Sequence, residues 1–561
     1  MAGKIYTPVT LWEDFDENNF SAEVLKTLIY ENLVIEKIRV VRPFLNEKVG
    51  VYLEMFRQNN GENEKRPLVF VIQDISKPIN RECLKQLFDM GYNACSIDFA
   101  GKPENFDEEN AVFTEREFTV YPPSLSYAEY KRARADIFAI GKTVKESAFY
   151  EWIVSAKYAI SYLKQAGYDN ISVLSEKNST IIGFSLAVTE KLSSFISLYG
   201  TGWQVPIGHK FGGEVRTDFS TEEFCILAGL EAQSYASHIT CPTLMLVATN
   251  YKGGDFDRAY ETFARTPESI YSAINYTISS GKHMSHSCYL DTGLFLDKYA
   301  KNKELYLPNE TFIDGKVEDG KIKITVSPDA EGFERVTLFV ADGEIDPAKR
   351  IYKTFGKVYE LDEENKAHFT YTPTENSKAS FIFAKTYYKN GFSVCSQVIC
   401  KRFSDKEIKG YPEYNVIYST ADKTLTRVLE EIRSEKETFF SMNISPDAFE
   451  MREGPFSING LRVKNGVETI RVLSPNTDSI LMLEVASDKE DKITVVLKCE
   501  GEEKEYRAQY KIYGGNLWYK LKFEIQNFKT DEGFPLKSFE KLEKIRIYSD
   551  GEFLLHTLLW V

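Results

Sequence analysis

Apolar and polar positions alternate differently in the two halves of this chain. Up to about residue 300, short apolar runs are interleaved with stretches of helical period. Pro67-Leu-Val-Phe-Val-Ile72 is a continuous apolar run of the kind that a strand buried on both faces requires. Ala94–Phe99, Ile171–Leu174, Ser194–Leu198, Thr243–Ala248 and Ala273–Ser279 read as further strands. Between them lie helical stretches at Asn80–Met90, Tyr150–Gln165 and Leu290–Lys301, the second carrying Trp152, Ile153, Ala156, Ile160 and Leu163. Ahead of all these, Lys37–Arg42 and Val49–Arg57 flank a short polar turn and predict a hairpin. Strands alternating with helices predict an α/β fold with a doubly wound, mostly parallel sheet.

Past residue 305 the period drops to two. Lys321–Val326, Arg335–Val340, Phe369–Thr372 and Ser380–Lys385 are short, closely spaced strands of the kind that build a β-sandwich. The charged stretch 403–435 holds one amphipathic helical segment, Leu425–Ile432, and reads as a connection. A second all-β section follows, with strands near Thr469–Leu473, Ile480–Val485, Ile493–Leu497, Trp518–Glu524, Lys544–Tyr548 and Phe553–Leu559. The expected organisation is an α/β domain over 1–303, a β-sandwich over 304–403, a connecting segment over 404–436 and a C-terminal sandwich over 437–561.

A chain of 561 residues has ample material for several cores. Its net charge of −14, with no basic stripe, argues against a nucleic-acid partner. No window of 18 apolar residues occurs, so no membrane span and no membrane partner is expected. The start, Met1-Ala-Gly-Lys-Ile-Tyr-Thr-Pro8, has no apolar region of signal-peptide type. The eight cysteines are scattered through strand-like runs and read as buried thiols, which points to a reducing, cytoplasmic setting. Cys395 and Cys400 form the single close pair, at a spacing unusual for zinc. His283 and His286 lie three apart with no carboxylate at ligand spacing, so neither metal nor cofactor is expected.

Two segments carry a resemblance. Gly91-Tyr-Asn-Ala-Cys-Ser-Ile-Asp-Phe-Ala-Gly101 is similar to a G-Y-x-V-x-x-x-D-Y-R-G strand. Glu146-Ser-Ala-Phe-Tyr-Glu-Trp152, followed by Ala156–Leu163, is similar to the helix before a nucleophile strand. On these residues the chain resembles the α/β-hydrolase superfamily, in particular acetyl xylan esterase-like serine esterases, over residues 35–300 and more weakly over 305–400. The resemblance implies an α/β-hydrolase sheet with a sharp strand–helix elbow, G-x-S-x-G, presenting a serine. In this chain the five elbow positions read Ser175, Glu176, Lys177, Asn178 and Ser179, with Lys177 in the nucleophile's place.

A second G-x-S-x-A sequence, Gly183-Phe-Ser-Leu-Ala187, is a rival. A βαβ crossover takes a dozen or more residues. Ser185 lies ten residues before Phe195 and Lys177 eighteen before it, so the spacing favours Lys177 at the elbow and puts Ser185 inside the following helix. The remaining positions come from the resemblance. Pro242–Asn250 corresponds to the strand that ends at the triad acid, but the next residue is Tyr251; Asp255 and Asp257 follow across Lys252-Gly-Gly254. Ser279-Ser-Gly-Lys-His283 places His283 at the base position, with His286 second. The oxyanion region reads Gln73-Asp74, where a carboxylate would oppose a developing negative charge. Lysine catalysis at Lys177 is disfavoured, since the adjacent Glu176 holds the amine charged and acyl transfer to nitrogen ends in a stable amide. Ser175 and Ser179 are off the elbow tip.

Trp518–Phe528, Pro535–Phe539, Lys544–Tyr548 and Leu558–Val561 resemble jelly-roll carbohydrate-binding modules. That implies sugar stacking, with Trp518 the candidate, while alternation places Phe523 and Trp560 in the sandwich core. The expectation is a catalytically impaired relative of carbohydrate esterases, a pseudoenzyme that binds a carbohydrate or small acylated ligand, or a partner. Two alternatives stand beside it. One is an active carboxylic ester hydrolase using Ser185 with His283 and Asp255 or Asp257; the other is a structural or assembly protein.

Overall fold

The computed structural model describes residues 4–561 except 45–46, 60–65, 76, 102–118, 121–139, 142, 206, 214–215, 283, 375–376, 405–415, 421–429, 432–443, 446–450, 471, 473–474 and 476–477. Nine strands form one sheet: β1 (Ser21–Tyr30), β2 (Leu33–Phe44), β3 (Glu47–Gln58), β4 (Leu68–Ile72), β5 (Asn93–Ile97), β6 (Ile171–Glu176), β7 (Ser194–Leu198), β8 (Thr243–Ala248) and β9 (Ser272–Thr277). Their order is β1-β2-β3-β5-β4-β6-β7-β8-β9. The β1-β2-β3-β5 half is antiparallel, and from β5 to β9 every pairing is parallel.

The parallel half follows from composition. Every residue of β4, β5, β7 and β8 is buried, because helices cover both faces of the sheet. These helices are α1 (Arg81–Asp89), α2 (Ala148–Gln165), α3 (Thr180–Thr189), α4 (Thr221–Gly229), α5 (Phe256–Phe263) and α6 (His286–Tyr299). Trp152, Ile153 and Ile160 of α2 belong to the core on one face, with Phe70, Val173 and Phe195. Leu84 and Leu87 of α1 and Phe295 of α6 join Val69, Val71 and Leu174 on the other. Asn80, Ser147, Asp255 and Ser285 start α1, α2, α5 and α6, each side chain accepting a first-turn backbone N–H.

Two differences from the sequence reading stand out. The hairpin is longer than the residues 37–57 expected, and β1 adds a strand at the sheet edge. β1 escapes the period-two rule because it buries neither face fully: all of its ten residues are exposed or half-buried.

The first β-rich region is a sandwich of a three-stranded and a five-stranded sheet over residues 312–402. Its core contains Ile322, Ile324, Val336, Leu338 and Ile382. Its other face closes onto the α/β layer. Phe383 lies against Phe256 and Tyr276, with ring centroids 6.4 and 5.2 Å away, and the Cys395 thiol accepts the backbone N–H of Tyr276 at 3.2 Å.

The C-terminal region forms a second sandwich of six- and five-stranded sheets, with Leu483, Val495, Phe523, Phe539 and Trp560 in its core. It also takes strands from the stretch read as a connection: Val416–Ser419 pairs with Phe553–Trp560, and Glu430–Glu431 with Val467–Thr469. The latter pair is strand where a helix over 425–432 was expected; the rest of that segment lies outside the described residues. The architecture is thus a large mixed α/β sheet followed by antiparallel β-sandwiches. Among the described residues no helix is long and apolar enough to cross a membrane. All eight cysteines are thiols, and all but the half-buried Cys400 are buried.

Candidate functional site

β6 ends at Glu176, a single 3-10 turn spans Lys177–Ser179, and α3 begins at Thr180. Lys177 has φ +53. A side chain in that left-handed region costs about 1–2 kcal/mol, so the sharp turn is held against local preference by its surroundings. Two glycines let the surroundings close in. A Cβ at Gly183 of α3 would fall 2.1 Å from the Ser175 hydroxyl, and one at Gly200 would fall 2.1 Å from the Thr180 hydroxyl. Lys177→Gly is therefore expected to raise stability by about 0.5–1 kcal/mol, the relief of φ strain exceeding the added unfolded-state entropy. Thermal unfolding measures it; a loss of similar size would show that the turn is not left-handed.

The three nearby serines are withdrawn. Ser175 lies in β6, Ser185 lies in the middle of α3, and both are fully buried. Ser179 is also buried and donates to the Gln73 carbonyl at 2.5 Å. This last bond ties the segment after β4 to the start of α3. The Gln73 side chain turns back on α1's approach, its Oε1 accepting the Asn80 N–H at 2.6 Å.

Asp74, Glu176 and Lys177 form a charged group at this end of the sheet. Burial raises the Glu176 carboxyl above its ordinary value; Asp74 adds to the rise while Lys177 and Lys77 oppose it. Tyr251, just past β8, joins the group. Its hydroxyl donates to Asn178 Oδ1 at 3.1 Å. Burial, then the Asp74 and Glu176 charges, push that phenol up, so it stays protonated and serves as a donor. The ring of Tyr251 and that of Tyr199 both approach Gly281, each 3.5 Å from where a Cβ would stand. Tyr199 itself has φ +63, and its hydroxyl accepts the Ser285 N–H at 3.1 Å.

The turn after β8 also grips the first sandwich. Asn250 Nδ2 donates to the carbonyls of Pro347, Ala348 and Arg350, at 3.3, 3.2 and 2.7 Å. Asp257 is bound by both terminal nitrogens of Arg350, at 2.6 and 2.9 Å, with neither side chain exposed. Asp255 caps α5 and accepts from Arg258 at 3.1 Å. Asp255 thus starts a helix and Asp257 holds a domain contact. His286 opens α6 on the exposed surface, and His283 lies outside the described residues. Among those residues no group of three His, Cys, Asp or Glu is placed to hold a metal.

Solved structures similar to this chain include an acetyl xylan esterase from a Paenibacillus species, at 10% identity over 46% of this chain and 81% of that one, with a TM-score of 0.33. An acetyl xylan esterase from a Thermoanaerobacterium species has 11% identity over 53% and 96%, TM-score 0.37. A glucuronoyl esterase from Solibacter usitatus has 8% identity over 49% and 84%, TM-score 0.32. No protein-family profile and no curated protein matches the sequence.

On the C-terminal sandwich, Trp518 is half-buried and donates to the Pro455 carbonyl at 3.0 Å. Its indole edge lies where Cβ atoms of Gly454 and Gly460 would be, 2.8 Å from each. The rings that stand more open are Phe456, Tyr513 and Phe534, none of which the sequence singles out. Among the missed residues of the α/β layer is Glu231, fully buried in the connection between β7 and β8. It accepts the N–H groups of Gln204 and Val205 at 2.9 and 2.6 Å. That anchors the segment carrying Trp203, one wall of an open pocket of about 400 Å³ with Phe219, Leu227 and Arg265.

Proposed function

We propose that this chain is a binding protein on a hydrolase scaffold, a catalytically impaired relative of carbohydrate esterases. It takes a carbohydrate or small acylated ligand at the elbow end of the sheet without hydrolysing it. The observation that carries this reading is Lys177 on the strand–helix turn at φ +53, with Ser175, Ser179 and Ser185 all buried. Two features support it. Asp74 and Glu176 set two carboxylates in the same charged group as Lys177, and carboxylates there would oppose a developing oxyanion. Tyr251 offers a neutral hydroxyl where a triad needs an acid. An active esterase built on Ser185 would require that serine to leave the core of α3.

The test is hydrolysis of p-nitrophenyl acetate by the full chain and by Ser185→Ala. The expected rates are equal and at the level of buffer; turnover that falls with Ser185→Ala sinks the proposal. In parallel, calorimetric binding of acetylated xylo-oligosaccharides is expected for the parent chain and lost in Lys177→Ala. No heat with the parent would remove the ligand class.

A further inference from the structure

The two turns that frame Tyr251 and Gly281 each carry a lysine, and both lysines reach the C-terminal sandwich. Lys252, next to Tyr251, lies 2.6 Å from Glu543. Lys282, next to Gly281, is paired with Glu468, which also holds Lys544 at 3.3 Å. Two residues after Lys282, Met284–Ser285 pairs in parallel with Ile444–Ser445 of the C-terminal region. The three attachments are separated by 186 to 291 residues in sequence, or by 160 for the strand pair, yet converge on the rim of one site. Lysines on the rim face glutamates on the sandwich, so the two surfaces are complementary in charge where they meet.

We infer that the C-terminal sandwich is the resident neighbour of the elbow end of the sheet, a docked partial cover that leaves Lys177 half-buried and moves aside when a ligand binds there. This rests on the elbow end being the ligand site, as proposed above. The contacts suit a removable cover. Lys252 and Lys282 are 56% and 40% exposed, so their pairs are weak and screened by salt. Glu468 is the firmer anchor: burial alone would raise its carboxyl, but Lys282 and Lys544 more than offset this and hold it below its ordinary value. The Lys252 hydrogen bond does the same for Glu543. With both carboxyls depressed, their contribution to docking is present at neutral pH and is lost as acid protonates them.

Access is read directly by brief acetylation of the full chain with isotope-coded acetic anhydride and peptide mass spectrometry at Lys177. Lys323, on the first sandwich and 61% exposed, is the internal standard. In Glu468→Lys/Glu543→Lys the Lys177 rate relative to Lys323 is expected to rise about fivefold or more, since removing each exposed pair is worth up to a factor of about five and reversal exceeds removal. Wild type in 1 M NaCl is expected to move the same way. An unchanged ratio overturns the inference. Should the reversal variant label everywhere, the charge swap Lys252→Glu/Glu543→Lys decides: Lys177 at the wild-type rate supports the cover, and Lys177 at the elevated rate overturns it. The readout involves no ligand. A faster Lys177 with no oligosaccharide bound would keep the cover and remove the binding proposal, and the reverse pattern would do the opposite.

Discussion

Replacing Arg350 with alanine is expected to cost about 3–5 kcal/mol of folding stability, because it leaves a buried carboxylate without its counter-charge. Asp257 has no exposure, and both its oxygens are held by Arg350. The guanidinium also donates to Tyr352 at 3.1 Å and lies 3.6 Å from the Phe381 ring centre, so packing is lost with the charge. Removing both charges is expected to cost much less. Arg350→Met/Asp257→Leu keeps volume and buries no unpaired ion, and it should recover most of the loss. Urea unfolding of the three chains gives the comparison. A single-variant loss under about 1 kcal/mol would mean that water reaches Asp257 and that the domain contact is looser than described.

The second large effect concerns pH. Burial pushes Glu231 up to about 7, against the pull of the Val205 and Gln204 N–H groups, from an ordinary value of 4.5. A carboxyl raised in the folded state disfavours its own ionised form there. The penalty is absent below the unfolded value, grows as pH rises from about 4.5 to 7, and is complete above 7. Glu231→Gln keeps an oxygen acceptor for both N–H groups and cannot ionise. It is therefore expected to match the parent near pH 4.5 and to be more stable at pH 8 by up to about 3 kcal/mol. Asp291, raised by burial to about 7, acts in the same direction, so the variant keeps part of the parent's slope. Unfolding midpoints at pH 4.5, 6 and 8 test this. Parallel curves for the two chains would show that Glu231 is ionised without penalty, its anion stabilised by the two N–H donors.

Much of the α/β layer is legible in the sequence because burial on both faces leaves an unmistakable mark. Leu68–Ile72 and Thr243–Ala248 tolerate no polar side chain except threonine. The turn at Lys177 is legible for a different reason, since crossover length is a constraint on chain geometry that needs no side-chain information. What sequence pattern could not supply is the identity of distant partners. Asn250 and Asp257 read as members of a catalytic loop, and only the folded chain shows that their partners are Pro347, Ala348 and Arg350. Glu231 looks like an ordinary surface acid beside Leu230 and Ala232 until Gln204 and Val205 arrive. Lys252 and Lys282 are likewise unremarkable until Glu543 and Glu468 meet them. β1 leaves no mark in the pattern because its residues, exposed or half-buried throughout, obey neither period.

The grip of the β8 turn on residues 347–350 bears on how this protein is made. During synthesis Asp257 leaves the ribosome well before Arg350, and at about 5–20 residues per second the gap is roughly 5–20 s. Through that interval the α/β layer holds an acid with no base and an edge strand, β9, without the Ser393–Cys395 segment that later lies on it. Phe256 and Tyr276 have as yet no Phe383 to pack on. The nascent first 300 residues are therefore an unfinished unit, one whose closing piece has not yet emerged.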